Sequence, residues 1–418
     1  MKLCFKDRFL PILLILGCAS GNLLADQAQE SVSKQRMKPT FKNGRYYYDS
    51  AIDLDYEHIN LSKALGFLAN KVVLSAPKKC YLWACSLFSK KAKQDVELQK
   101  LLQESLQEHL KPQQIVPSSQ SQELVITWVG HATFLVQVDG FNILTDPVFG
   151  EVKAGPLTLS KRAMPAGIKF EDLPPIDAIV ISHNHSDHTD TNSLTALAKA
   201  FDPIVYVPEG NKELIASMGF SRVIECTWWD KKVMHKEGKT LTMTCLPALH
   251  WSIRFSLQSY RKALWSGWMI SAADRHVYFA GDTAYGDHFK QIGDEFPSID
   301  AALLPIGPTN EHDNKQKNCN AHAKYCHIDA VEAVDACIDL NARCFIPMHY
   351  GTFFLSKHNL ILPVRRLKEY WQEKADLVAG SRLLIAGCGH TCTFEDNPSL
   401  LEAEQPAASE QTEQEILS

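Results

Sequence analysis

The chain predicts an α/β fold, packed sheets flanked by helices with a helical extension in front, and three observations carry that reading. From Leu124 onward, short apolar strands come first in a hairpin and then alternate with helical stretches, the order expected of sheets covered by helices. The 418 residues are 45% apolar and 9% aromatic, enough for a large core and too much for a chain disordered throughout. One apolar run, Ala178–Ser182, ends in His183-Asn184-His185-Ser186-Asp187-His188, which core packing alone cannot satisfy.

The elements follow in order. Lys2, Lys6 and Arg8 precede the apolar run Phe9–Leu16, the pattern of a secretory signal and too short to span a bilayer comfortably. Ile15-Leu16-Gly17-Cys18 resembles a lipobox with Cys18 as the lipidated residue; cleavage after Ala25 and an uncleaved anchor are the alternatives. The expectation is export or membrane association in a bacterium, as a periplasmic protein or lipoprotein, against a cytoplasmic protein with an uncleaved N-terminal anchor. Residues 26–45 read as a polar linker within an extension running to residue 120. In it Leu61, Leu65, Leu68 and Val72 recur at helical spacing, as do apolar residues from Val96 to Leu110.

Between Leu61 and Lys93 there are seven Lys and no acid, with Phe67, Tyr81, Trp83 and Phe88 interleaved. Such a stretch suits an anionic membrane surface, at about 1 kcal/mol per Lys near the headgroups. A helical cap with solvated lysines is the equal alternative. After Phe394 come seven acids and no Lys or Arg, so residues 394–418 read as a disordered acidic tail. The overall balance of 43 basic to 48 acidic residues gives no field for nucleic acid, and a mean hydropathy of −0.17 excludes a polytopic membrane protein. Without signal and tail the balance is 40 to 40.

Residues 121–393 form the main domain. Leu124–Val129, Thr133–Val138 and Phe141–Thr145 read as strands, the last two joined at Asp139-Gly140. Ala178–Ser182, Ile204–Val207, Thr240–Leu246, Val277–Ala280, Ala301–Pro305 and Cys344–Met348 follow. Helices are expected near Asn192–Phe201, Lys212–Met218, Ile328–Leu340 and Val364–Lys374. Of the 12 Cys, the pairs Cys80/Cys85, Cys319/Cys326 and Cys388/Cys392 are close enough to bridge in an exported chain, and most of the rest read as buried thiols.

The chemistry gathers at strand ends. Alternation puts His183 and His185 on one side of their loop, where they can grip one metal, and points Asp187 and His188 to a second position. His250 ends Thr240–Leu246, Asp282 ends Val277–Ala280 and His349 ends Cys344–Met348. Nitrogen and oxygen ligands of this kind suit zinc, and iron or manganese accept them too.

HxHxDH followed by His, Asp and His at strand ends resembles the metallo-β-lactamase superfamily, whose fold is a four-layer αββα sandwich. Further stretches are similar to the N-acylphosphatidylethanolamine-hydrolysing phospholipase D family. They are Trp128-Val129-Gly130-His131-Ala132-Thr133, Leu144-Thr145-Asp146-Pro147, Trp228-Trp229, His250-Trp251, Ala263-Leu264-Trp265-Ser266-Gly267, Gly281-Asp282-Thr283-Ala284-Tyr285 and Leu304-Pro305-Ile306-Gly307. Phe41–Tyr48 matches more weakly.

The resemblance implies two zinc ions per chain. His183, His185 and His250 would hold the first, Asp187, His188 and His349 the second, and Asp282 would bridge them. Asp146 would orient ligands from outside; His131 is either similar support or a packed histidine. Tyr325-Cys326-His327-Ile328-Asp329 matches the segment whose His contacts substrate or helps catalysis, so His327 joins Asp187 and Asp282 as a catalytic candidate. The implied reaction is zinc-dependent hydrolysis of a phospholipid at a membrane to N-acylethanolamine and phosphatidic acid, with Asp187 or His327 protonating the departing oxygen; a homodimer is left open.

The chain departs from the family at Pro308–His322, where a longer polar loop replaces a short aromatic one, and His312 and His322 there read as solvated. The alternatives are a metallo-hydrolase of a small phosphodiester or lactone, and a non-catalytic membrane-attached metal-binding protein. β-Lactam hydrolysis is disfavoured, because Asp282 stands where those enzymes place Cys.

Overall fold

A computed structural model describes residues 36–48, 103–104, 107–108, 110–154, 157–254, 256–307, 325–354 and 362–394. The signal-like segment, Leu61–Lys93, Cys80/Cys85, the loop from 308 to 322 and residues 395–418 lie outside them. Among the described residues no helix is long and apolar enough to cross a membrane.

Two short strands, β1 (Thr40–Lys42) and β2 (Arg45–Tyr47), form an antiparallel hairpin where a linker and then a helical section were expected. Its support is not local: Tyr46 N–H donates to the Arg261 carbonyl at 2.8 Å and the Tyr46 hydroxyl to Glu209 at 3.1 Å. The end of the extension is tied in likewise, through Gln113 N–H to Cys388 O and Ile115 N–H to Gly167 O.

The main domain is built on two seven-stranded sheets. In the first, β3 (Leu124–Gly130), β4 (Thr133–Val138) and β5 (Phe141–Thr145) make an antiparallel meander. Asp139 and Gly140 take φ of 49° and 79° in its second turn, the mirror-image geometry that matches strand twist. After the ribbon β6 (Val152–Ala154) and β7 (Leu157–Ser160), β8 (Ala178–Val180) runs parallel to β5. Helix α1 (Thr191–Ala200), capped by the Asp190 carboxylate, leads to β9 (Ile204–Pro208), and α2 (Lys212–Ala216) to β10 (Val223–Cys226), both strands parallel again.

The second sheet starts with four antiparallel strands, β11 (Lys231–Lys236), β12 (Lys239–Leu246), β13 (Gly267–Ala272) and β14 (Arg275–Phe279). Helix α3 (His288–Glu295) precedes β15 (Ala301–Pro305), α4 (Ala330–Leu340) precedes β16 (Cys344–Met348), and α5 (Leu362–Glu373) precedes β17 (Arg382–Leu383), all parallel. The last strand, β18 (Thr391–Phe394), returns to the first sheet against β3.

The sheets pack face to face. Trp268 of β13 donates its indole N–H to the Ile181 carbonyl at 2.9 Å, and its ring meets Tyr206 of β9 at 6.3 Å. Leu194, Leu197 and Ala198 of α1 pack with Ile179, Val205 and Val207 on the other face of the first sheet. Phe289 of α3 meets Tyr278 of β14, and Trp371 of α5 meets Phe345 of β16. The order is therefore helix, sheet, sheet, helix, and strands such as β5, β15 and β16 are buried at every position because both their faces are covered.

The strand β11 escaped the sequence reading because it is an edge, alternately exposed and half-buried, whose lysines guard it against pairing with another chain. Cys388 and Cys392 are free thiols rather than a bridge. Cys388 lies beneath Gly130, where an added Cβ would come within 3.1 Å of its sulfur, whereas Cys392 sits in β18 opposite Ile126. The Cys319/Cys326 pairing lies outside the described residues, which do not include Cys319.

Candidate metal centre

Strand ends from both sheets converge on one place. Asp146 follows β5, His183–His188 follow β8, His250 follows β12, Asp282 follows β14 and His349 follows β16. The backbone is left-handed at Asp146 (φ 33°), His349 (φ 61°) and His131 (φ 57°), which costs of order 1–3 kcal/mol at a non-glycine residue and persists only where packing imposes it. His131 owes its place to a register shift in the β3–β4 ladder between Trp128 and Gly130, which turns the chain toward the centre. At Gly281 (φ 60°) only glycine fits, since a Cβ would lie 2.5 Å from that of Ser182.

Two groups of ligand-type atoms share one carboxylate. In the first, His185 Nδ1 lies 2.9 Å from His183 Nε2 and 3.2 Å from His250 Nε2. In the second, Asp187 Oδ2 lies 3.7 Å from His188 Nε2 and 3.8 Å from His349 Nε2. Asp282 reaches both: Oδ2 is 3.8 Å from His183 Nε2 and from His250 Nε2 and 3.2 Å from His188 Nε2, and Oδ1 is 3.2 Å from His349 Nε2. Ligands around a tetrahedral zinc sit roughly 3.3 Å apart, given bonds of about 2.0–2.1 Å.

Hydrogen bonds behind the rings fix which nitrogen faces inward. Asp146 accepts from His188 Nδ1 at 2.7 Å, from Ser182 N–H at 2.7 Å and from the Ser182 hydroxyl. That hydroxyl, with its proton spent on Asp146, accepts from His183 Nδ1 at 2.9 Å. His250 Nδ1 donates to the Cys326 carbonyl at 2.7 Å. Each of the three rings thus turns a bare Nε2 toward Asp282. His188 Nε2, His349 Nε2 and Asp282 Oδ1 are buried without a hydrogen bond among the described residues. Buried, unbonded lone pairs aimed at common points are what a divalent cation satisfies, so the residues fit a metal.

His131 is placed differently. Its Nε2 donates to Asp187 Oδ2 at 3.2 Å and its ring lies 4.0 Å from that of His349, so it braces two of the convergent side chains. His327 Nδ1 is 3.7 Å from Asp282 Oδ2.

Burial and mutual charge set the electrostatics of the cluster. Burial opposes charge on His188, but Asp282, Asp187 and Asp146 overcome it and hold that imidazole well above its ordinary value. Burial would likewise raise Asp187 and Asp282, but His188 foremost among the neighbouring rings holds both below the carboxylate range. Burial pushes His131 and His250 down to about 3 and His185 to about 4, leaving neutral rings able to ligate.

A family model described as the beta-lactamase superfamily domain matches residues 141–350, half of the chain. The chain belongs to the metallo-β-lactamase superfamily. It is a metallo-hydrolase of that fold, divalent-metal binding follows from the fold, and the clusters above are the candidates to hold the ion. A Caenorhabditis elegans N-acyl-phosphatidylethanolamine-hydrolyzing phospholipase D is 35% identical over 267 residues, 61% of this chain and 71% of that one. The mitochondrial Saccharomyces cerevisiae protein of the same name is 33% identical over 245 residues, and the match spans only half of its length. A solved metallo hydrolase from Ignicoccus hospitalis is 23% identical, with a TM-score of 0.47 over 66% of this chain and 99% of that one.

Two supporting residues escaped the sequence reading. Ser182, next to His183, relays Asp146 to that ring. Arg254, buried four residues after His250, donates to Thr191 Oγ1 at 2.9 Å and more loosely to Asn184 O and Ser186 Oγ, holding the loop between the histidines. Nothing in the sequence marks Arg254, whereas Ser182 adjoins the cluster.

Outer partners of metal-bound imidazoles typically account for 10–100-fold in affinity. Asp146→Asn is therefore expected to weaken metal binding by about tenfold or more, read by chelator competition, with the fold intact by circular dichroism. Unchanged affinity would show that Asp146 is only a buried acceptor.

Proposed function

We propose that this hydrolase is a zinc-dependent phosphodiesterase of phospholipase D type, releasing N-acylethanolamine and phosphatidic acid from N-acylphosphatidylethanolamine-like phospholipids. The observation that carries this reading is a double ligand set joined by Asp282, in a chain 35% identical to a nematode protein named for that hydrolysis. His183, His185 and His250 would hold one zinc, Asp187, His188 and His349 the other, with Asp282 between them. Bound there, zinc supplies Lewis-acid polarisation of a phosphoryl group and acidifies water toward neutrality.

The chain's own groups do the rest. Asp187 and His327 are partly open to solvent, at 18% and 16% exposure, while Asp282 is at 2%. They are the members that can meet a substrate oxygen, and His327 has an N–H to offer the departing ethanolamine oxygen. His131 steadies Asp187 from behind. The lipid substrate makes a bilayer the partner, and the basic aromatic stretch Leu61–Lys93 is its proposed contact.

Zinc-loaded protein incubated separately with N-acylphosphatidylethanolamine vesicles and with a bis-aryl phosphodiester tests the reading. The expected result is N-acylethanolamine and phosphatidic acid, identified by mass spectrometry. Cleavage of the aryl ester without N-acylethanolamine release would reassign the enzyme to small phosphodiesters, and cleavage of neither would end the phosphodiesterase reading.

A further inference from the structure

The segment Tyr325-Cys326-His327 serves the centre twice. The Cys326 carbonyl takes the Nδ1 proton of His250, and the next residue brings the His327 ring to 5.0 Å from that of His250. Further bonds tie this segment to the described body. Ile328 N–H donates to the Thr283 carbonyl at 2.7 Å, beside Asp282. The Tyr48 hydroxyl donates to the Tyr325 carbonyl at 3.0 Å, across 277 residues of sequence.

Tyr48 is held for that task. Its ring meets Trp265 edge-on at 6.2 Å and lies 5.9 Å from the guanidinium of Arg261. Arg261 is fully buried, its guanidinium also faces Tyr47, Tyr260 and Trp265 at 5.3, 5.5 and 5.7 Å, and its carbonyl takes the Tyr46 N–H. Cation–π contacts of this kind gain strength when desolvated. The aromatic cage around Arg261 therefore fixes the N-terminal strand against the body, and Tyr48 passes that rigidity to the Tyr325 carbonyl.

We propose that Tyr48 is a positioning residue of the metal centre, setting the Tyr325–His327 segment and, through the Cys326 carbonyl, the tautomer and tilt of His250. This rests on His250 being a metal ligand and is independent of the lipid substrate. The partners behind a metal-bound imidazole govern how tightly it ligates, and Tyr48 stands one bond further out.

Two single-hydroxyl deletions in the full chain separate positioning from mere folding. Tyr48→Phe removes the bond to Tyr325, and Tyr46→Phe removes the bond to Glu209 on the same strand. Zinc affinity is read by competition with a chromophoric chelator, and kcat and KM with the bis-aryl phosphodiester. The expected result is that Tyr48→Phe weakens one of two bound zinc ions by about tenfold, the low end of such effects. It should lower kcat more than it changes KM, while Tyr46→Phe matches the parent. Parent-like zinc affinity in Tyr48→Phe, or equal weakening in Tyr46→Phe, overturns the proposal. Failure to release N-acylethanolamine sinks the lipid reading alone, since zinc affinity is read directly; a parent chain that binds no zinc overturns both.

Discussion

Asp282→Ala is expected to leave the protein unable to retain two metal ions and to cut phosphodiester hydrolysis by about a thousandfold or more. Asp282 approaches ligand atoms of both groups, with one oxygen 3.8 Å from His183 and His250 and 3.2 Å from His188, and the other 3.2 Å from His349. Losing it removes the shared negative charge as well as a ligand. A paired metal site stabilises charge on both the attacking and the leaving oxygens, an effect worth several kcal/mol, and each 1.36 kcal/mol is tenfold in rate, so about a thousandfold is a conservative figure. Metal content after dialysis and kcat on the aryl ester check it together. Two ions per chain with parental activity in the variant would remove Asp282 from the bridging role. One ion with parental activity would show that a single group suffices for the chemistry.

The convergence of these side chains was legible because the ligand-type residues are compressed. Three imidazoles and a carboxylate between His183 and His188 leave no packing solution, and each further ligand ends an apolar run, as strand ends do in sheets of this kind. Some covered strands were legible, since Ala301–Pro305 and Cys344–Met348 read as unbroken apolar runs, but the covered strand Gly267–Ala272 was not read. Edges were not: the alternation of Lys231–Lys236 is polar on purpose, and β18 owes its existence to pairing with β3 rather than to its own residues.

What sequence could not settle is what non-local contacts decide. The role of His131 hangs on one slipped pairing near Gly130, and a neighbour list cannot reveal a slip. The hairpin at Thr40–Tyr47 read as the end of a linker and the start of a helical section because its support, Arg261, lies more than two hundred residues on. The short Cys388/Cys392 spacing permitted a bridge, but a turn aims one thiol under Gly130 while the strand aims the other elsewhere. Spacing sets which contacts are possible; tertiary packing chooses among them.

Stripping the metal is expected to lower the thermal midpoint at pH 7.5 by about 10 °C or more, and the stripped protein is expected to weaken further on acidification. An ion that binds only the native state contributes about 4 kcal/mol at a thousand times its Kd. Each kcal/mol moves Tm by roughly 2–4 °C in a domain of this size, so the proposed pair of ions would exceed 10 °C. The acid limb has a definite sign. Burial holds His131, His250, His288 and His327 down to about 3 and His185 to about 4, so the folded protein keeps these rings neutral. The unfolded chain protonates them near 6.5, so their contribution is whole above that pH and drains below it, at about 1.4 kcal/mol per pH unit per ring. His188, raised instead, contributes fully below 6.5 and loses that contribution as pH climbs from there to its elevated value, so one ring gains a little on acidification against five that lose. The lowered carboxyls of Asp187 and Asp282 act only under about pH 4, outside the window. Urea midpoints in chelator should therefore fall between pH 7 and pH 5.5. A flat or rising midpoint would mean that these rings are protonated in the folded chain. His288 isolates one increment: it bonds Thr283 at 3.2 Å and burial alone lowers it, so His288→Gln should flatten the slope by about one ring's worth.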